Sequence, residues 1–165
     1  MFIKLLTNLF DNSKQLNMGF FSDILLGKQV TVLDKILGEL KTRIKNENPS
    51  DSYTWTSENL IAGQGKVTVF ILEGNYLGPD KNQLKSIYRI LENIEEILKT
   101  VDMKIKGTNL NFNLEWRNEF HLAAITPVAF QNNKFEVTFE PLNEESVEYV
   151  SFVWENDKIT EIEAK

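Results

Sequence analysis

The sequence has no cysteine and a single histidine, and both shortages exclude particular kinds of site. Without cysteine a chain forms no disulfide framework, offers no thiolate nucleophile and builds no cysteine-ligated zinc or iron–sulfur site. With His121 alone, no multi-histidine metal site can form within one chain. We therefore expect neither a metal nor any other cofactor.

Long apolar runs are also missing, since no stretch approaches the roughly 20 apolar residues that span a bilayer. Residues 1–28 hold two short runs, and the first fits one helical face with Phe2, Ile3, Leu6, Leu9 and Phe10. The polar Lys4 and the lack of a small-residue cleavage site argue against a secretory signal. We expect a short helix or poorly ordered residues at the domain edge. A weak membrane-surface helix is the alternative, and Met18 is a second possible translation start that would exclude residues 1–17.

Net positive charge is missing as well, because the formal charge is −6. Residues 1–130 are balanced, whereas residues 131–165 carry nine acidic residues against Lys134, Lys158 and Lys165. Phosphate contacts need a basic footprint, so a nucleic-acid partner is not expected. We expect a cytoplasmic protein without membrane binding, and any partner of the acidic C-terminal part would be a basic protein.

One helix organises the prediction, over residues 80–105. Apolar residues recur there at alternating gaps of three and four, at Leu84, Ile87, Leu91, Ile94, Leu98 and Val101. Tyr88, Ile90 and Ile97 widen this stripe. Asp80 can cap the start and Gly107 can end the helix. The pattern predicts one long helix that lies on the core of its own domain.

The segments around this helix alternate or are apolar in the manner of strands. The candidates are 40–44, 52–57, 66–73, 110–116, 120–126, 135–140, 147–154 and 158–163. Tight turns are predicted at Asn132-Asn133 and Asn156-Asp157. Residues 29–165 are therefore predicted to form a single α+β domain, a mainly antiparallel sheet of about six or seven strands with helix 80–105 on one face.

Several short motifs follow one another along the chain: Asp34, the run Gly38-Glu39-Leu40, Trp55, and Gly78-Pro79 ahead of a helix that contains Leu84. Together they resemble a family of small bacterial domains of unknown function. Phe120, Leu122, Ile125 and the run Tyr149-Val150-Ser151 are similar to the family's C-terminal antiparallel meander. The resemblance covers about residues 30–165 and implies no reaction and no catalytic residues. It implies a protein-binding role, in some relatives an immunity-like one.

Two sets of charged residues are candidate sites. Glu136 and Glu140 alternate with apolar residues of one strand, and a meander in sequence order would bring Glu161 and Glu163 beside them. This set predicts a non-catalytic, immunity-like or regulatory protein-binding module; the other interpretation of the acids is solubility alone.

The second set supports a different function, a hydrolase or a small-ligand-binding domain. Glu115, Arg117, Glu119 and His121 would share a face of a continuous strand, where the histidine could act as a general base. A turn at Arg117-Asn118 would break that face, and a solvated strand face explains the same pattern. Trp55, Trp116 and Trp154 could line a pocket, but we expect them in the core with one partly exposed.

Overall fold

A computed structural model describes residues 26–61, 65–107, 116–128 and 133–165. These residues form nine strands, two α-helices and one short 3-10 helix. The elements are β1 Lys28–Asp34, β2 Gly38–Ile44, β3 Tyr53–Leu60, β4 Val67–Asn75, β5 Gly78–Pro79, α1 Lys81–Glu92, α2 Ile94–Lys106, the 3-10 helix Trp116–Asn118, β6 Phe120–Pro127, β7 Lys134–Pro141, β8 Val150–Glu155 and β9 Lys158–Ala164.

The strands lie in one sheet in the order β1-β2-β3-β4-β6-β7-β8-β9, and β5 pairs with β4. Every pair is antiparallel except β4–β6. Parallel neighbours need a crossover connection, and here it carries both helices. The predicted α+β class and mainly antiparallel sheet are confirmed, but the sheet is larger than the six or seven strands expected.

The prediction of one long helix over 80–105 is wrong at Asn93, where two shorter helices meet. The Asn93 side-chain Nδ2 donates to Arg89 O at 2.8 Å, and the Asn93 backbone N–H donates to the same oxygen at 3.1 Å. Asparagine side chains compete in this way with the helical ladder. The predicted ends are confirmed, because Asp80 caps two backbone N–H groups and Gly107 follows α2. Neither of the two described helices is long and apolar enough to cross a membrane.

The core lies between the helices and one face of the sheet. Ile87, Ile90, Ile97, Val101 and Ile105 of the helices are fully or almost fully buried there, whereas Leu84, Leu91 and Ile94 are only partly buried. The opposing sheet residues include Trp55, Phe70, Leu72, Phe135, Val137 and Phe152. The opposite face, which we name the outer face, carries exposed residues such as Thr31, Lys41 and Thr56 on β1, β2 and β3.

The C-terminal meander follows the predicted alternation closely. Phe135, Val137 and Phe139 are buried, while Glu136 and Glu140 between them are exposed. Asn156 and Asp157 have φ values of 49° and 61°, as the tight β8–β9 turn requires. The expected start of β8 at residue 147 is wrong, because the strand begins at residue 150.

Three predicted features lie outside the described residues. They are residues 1–25 of the N-terminal segment 1–28, which was expected to be helical or poorly ordered, most of the strand at 110–116, and Asn132 of the predicted hairpin turn. Strand β1 and the two-residue β5 were not predicted. The β1–β2 turn is held by Asp34, whose side chain accepts hydrogen bonds from the Ile36 and Leu37 N–H groups.

Candidate functional site

The four glutamates predicted as a partner surface all lie on the outer face of β7 and β9; we name Glu136, Glu140, Glu161 and Glu163 the acidic patch. In the strand register, Glu136 and Glu161 both pair with Val153 of β8, and Glu163 pairs with Ser151. Directly paired residues point to the same side of a sheet. The structure therefore places Glu136 of β7 on the same face as Glu161 and Glu163 of β9, and the two strands are about 10 Å apart across the sheet.

The charges of the acidic patch are only partly balanced. Lys134 Nζ lies 3.3 Å from Glu161 Oε1 and 3.8 Å from Glu155 Oε2. Glu136 and Glu140 form no ion pair with any described residue. A negative field therefore remains at this end of the sheet.

Tyr149 lies beside the acidic patch and shows the effect of this field. Its hydroxyl donates to the Glu163 carboxylate. This hydrogen bond raises the pKa of Tyr149, and partial desolvation and the charges of Glu163 and Glu136 raise it further. A nearby negative charge disfavours the tyrosinate, so Tyr149 stays a neutral donor. The pKa of the Tyr149 hydroxyl is thus raised by glutamates from two different strands, Glu163 of β9 and Glu136 of β7.

Glu140 stands at the far end of the acidic patch, directly opposite His121 in the β6–β7 register. Both line an open cavity of about 630 Å³ whose wall is the loop 142–149. Lys66, which directly precedes β4, also lines the cavity and forms an ion pair with Glu144. This contact lowers the pKa of the Glu144 carboxyl. His121 is 8% exposed, and its Nδ1 lies 3.3 Å from Leu122 O.

Arg117 and Glu119, two other members of the predicted histidine site, do not line this cavity. The 3-10 helix turns Arg117 towards α2, where its Nη2 lies 2.7 Å from Asp102 Oδ2. The neighbouring Trp116 Nε1 donates to Asp102 Oδ1 at 2.9 Å, which fixes the same turn. Glu119 is exposed, and Glu115 lies outside the described residues.

The shared strand face that would have assembled a general base with its partners is therefore not formed. Of the three members the structure describes, only His121 lines the cavity. Within the described ranges, no group of three or more histidine, aspartate and glutamate side chains is placed to hold a metal ion. The described lining of this corner includes His121, Lys66, several carboxylates and Ser146, whose hydroxyl donates to Glu148 Oε2 at 3.1 Å.

A groove that sequence reasoning missed lies between the α1–α2 junction and the β8–β9 hairpin. Its volume is about 730 Å³, and Trp154, Ile97 and Ile159 supply its apolar surface. An exposed ion pair of 3.8 Å joins Arg89 to Asp157 at its edge. Trp154 is partly exposed while Trp55 and Trp116 are buried, as the sequence predicted. Asn93, at the helix break that the periodicity does not reveal, also lines this groove.

Comparison with known proteins adds no further constraint on these surfaces. No family model matches the sequence, and neither a curated protein nor a solved structure is significantly similar to it. The resemblance to small bacterial domains therefore stays a prediction. The function has to be argued from the surfaces of this chain alone.

Proposed function

We propose that the protein is a non-catalytic protein-binding module, immunity-like or regulatory, that presents the acidic patch to a basic surface of its partner. The observation that carries the proposal is the convergence of Glu136, Glu161 and Glu163 around Val153 on one exposed sheet face. Lys134 offsets only part of that charge. The module acts by occupying its partner's surface.

The spacing of the acidic patch suits long-range attraction of a basic partner. The strands that carry these carboxylates are about 10 Å apart, close to the Debye length of about 8 Å at physiological salt, so the potentials of the carboxylates overlap in front of the surface. Val153, which is partly exposed at the centre, supplies apolar contact area inside a charged rim. Such an arrangement speeds association more than it deepens affinity, and salt weakens it.

The proposal is tested by removing charge with a matched control. The site variant changes Glu136, Glu140, Glu161 and Glu163 to Gln. The control changes four exposed glutamates elsewhere, Glu39, Glu47, Glu58 and Glu92. Each variant loses four negative charges, which takes the formal charge from −6 to −2.

Wild type, control and site variant serve as parallel baits, and captured proteins are quantified by mass spectrometry. A true partner is retained by wild type and control and lost by the site variant. Its association rate should fall about tenfold in the site variant at low salt and should lose most of its salt dependence. An equal loss of partner binding in both variants would mean that only the net charge of the protein matters and not the acidic patch. No loss of binding in either variant would refute the proposal.

A second function is favoured by the cavity beside His121, which could bind a small ligand between Lys66 and Glu140. Glu140 belongs to both hypotheses, so its substitution does not separate them. His121→Ala does separate them, because it alters the cavity and leaves Glu136, Glu161 and Glu163 in place. A protein-binding module keeps its partner in this variant, whereas a ligand-binding or hydrolytic domain loses its function.

A further inference from the structure

Strand β1 is the first strand at one edge of the described sheet. In the part of the chain that the structure describes, no strand pairs with it on the side away from β2. All seven of its residues pair with β2 in unbroken register, without a bulge. Its five central residues are uncharged and include neither proline nor glycine, and Leu33 is 80% exposed. An edge of this kind is a template for pairing with another strand.

The opposite edge of the sheet, β9, is protected in the ways that proteins commonly use. The β8–β9 register shifts between Val153 and Trp154, which bends the strand. Glu161 and Glu163 place charges along it, and Lys104 Nζ of α2 donates to Ile159 O at 2.9 Å. Charges, bulges and covering side chains oppose edge pairing. The contrast singles out β1.

The sequence of β1 is complementary to itself in one antiparallel register. If Thr31 stands opposite Thr31 of a second copy, Val30 stands opposite Val32 and Gln29 opposite Leu33. The charged ends then match, because Lys28 stands opposite Asp34 at both ends of the pair. A parallel pairing in register would instead place like charges together, which is unfavourable. A shift by one residue would move Val30 and Val32 to the wrong face.

Asp34 is held in place as an anion. Its Oδ1 accepts the N–H groups of Ile36 and Leu37 at 2.9 and 2.8 Å, and its Oδ2 accepts the Tyr88 hydroxyl. Burial alone would raise the pKa of Asp34, but the hydrogen bonds from Leu37, Tyr88 and Ile36 outweigh it and lower the pKa. A fixed carboxylate is thus available at one end of β1, while Lys28 at the other end is exposed and has no ion pair among the described residues.

We propose that two copies of the chain associate through antiparallel pairing of their β1 strands about a two-fold axis at Thr31. The sheets then continue from one copy into the other, with Val30 and Val32 of both copies packed together on the core side and Lys28 beside Asp34. The interaction surface is separate from the acidic patch and goes beyond the proposed function. It is isologous, since each copy contributes the same residues.

The test places charge at the two-fold axis. Thr31→Lys sets two like charges directly opposite one another, as does Thr31→Glu. Gln29→Lys is the matched control: both lysines face a cation on β2, Lys41 or Arg43, within the same copy. Only the lysine at position 31 would also lie opposite the same lysine of the second copy, across the two-fold axis.

Sedimentation velocity of the full chain, from about 1 to about 500 µM, measures self-association; an interface of this small size is expected to be weak. Wild type and Gln29→Lys should form dimers, whereas Thr31→Lys and Thr31→Glu should each weaken association by about tenfold or more. An equimolar mixture of the two Thr31 variants should restore the dimer, because opposite charges then meet at the axis. That rescue excludes misfolding as the cause.

Three outcomes would overturn the proposal. Wild type could remain monomeric over the whole concentration range. Both Thr31 variants could dimerise as well as wild type, or Gln29→Lys could disrupt the dimer as strongly as Thr31→Lys. A dimer that forms through another surface gives the second result, so it is distinguished from pairing through β1.

Discussion

The buried face of α1 can be tested with two adjacent residues, Ile90 and Leu91. Ile90 is 0% exposed and belongs to the core, while Leu91 is only partly buried against it. The spacing in the sequence puts Leu91 on the central stripe and Ile90 at its margin. The structure reverses that order, so the substitutions Ile90→Ala and Leu91→Ala separate the two.

The expected magnitudes follow from burial. Removing the Ile90 side chain from a closed core should cost about 3 kcal/mol, within the range of about 2–5 kcal/mol for such truncations. Leu91 keeps part of its surface in water, so its truncation should cost about 1 kcal/mol. Alanine has the higher helix propensity, which reduces the Ile90 loss by a few tenths of a kcal/mol. The difference between the variants should remain about 2 kcal/mol.

Urea unfolding followed by circular dichroism measures both variants, with an unchanged m-value as the condition for comparing midpoints. For a chain of this size, about 1 kcal/mol corresponds to roughly 2–4 °C in Tm. Ile90→Ala should therefore melt about 6–12 °C below wild type, and Leu91→Ala about 2–4 °C below. Equal losses, or a larger loss for Leu91→Ala, would mean that α1 is rotated about its axis relative to this structure.

Three further changes probe other parts of the fold. The pKa of Tyr88 is raised to about 12 by burial, by its hydrogen bond to the Asp34 carboxylate and by the charge of that carboxylate. A raised pKa stabilises the fold below the unfolded value near 10, and this contribution is lost as pH rises towards 12. Tyr88→Phe should therefore lose about 1 kcal/mol at pH 8, with the difference from wild type shrinking by pH 11 in urea titrations. An added Cβ at Gly74 would lie 2.6 Å from Pro79 Cα, so Gly74→Ala should cost about 2 kcal/mol or more, while Gly107→Ala meets only 3.5 Å contacts and should be nearly neutral. Deletion of residues 1–17 should leave a folded protein, because every described element begins beyond them; loss of soluble expression would contradict this.

Local alternation of apolar and polar residues predicted those strands that have one face buried in the core and the other exposed to solvent. Phe135, Val137 and Phe139 alternate with polar residues because β7 lies between core and solvent. Strand β1 shows this alternation only over Val30, Thr31 and Val32, because the next residue, Leu33, is apolar and exposed at the edge. The apolar period also runs on across the α1–α2 junction, so it conceals the break.

The two candidate sites also differ in how well the sequence predicted them. Alternation and hairpin order were enough to predict that Glu136, Glu161 and Glu163 lie on one surface, and the strand register places them there. The position of Arg117 could not be predicted, because it depends on Asp102, a residue of α2 that the sequence gives no reason to pair with it. Contacts between distant elements decide such positions, and a periodicity describes one element only.

The two proposed surfaces lie at opposite ends of one sheet, and this has a consequence for stoichiometry. In a dimer joined through β1, the two copies of Val153 would be separated by roughly 60 Å along the sheet, at about 4.8 Å per strand. That separation exceeds the Debye length of about 8 Å several times over, so neither acidic patch would sense the charge of a partner bound to the other. The dimer should therefore bind two partners independently. Thr31→Lys, which separates the copies, should leave the association rate per site unchanged for a monomeric partner, while a dimeric partner should lose the gain in avidity that two linked sites provide.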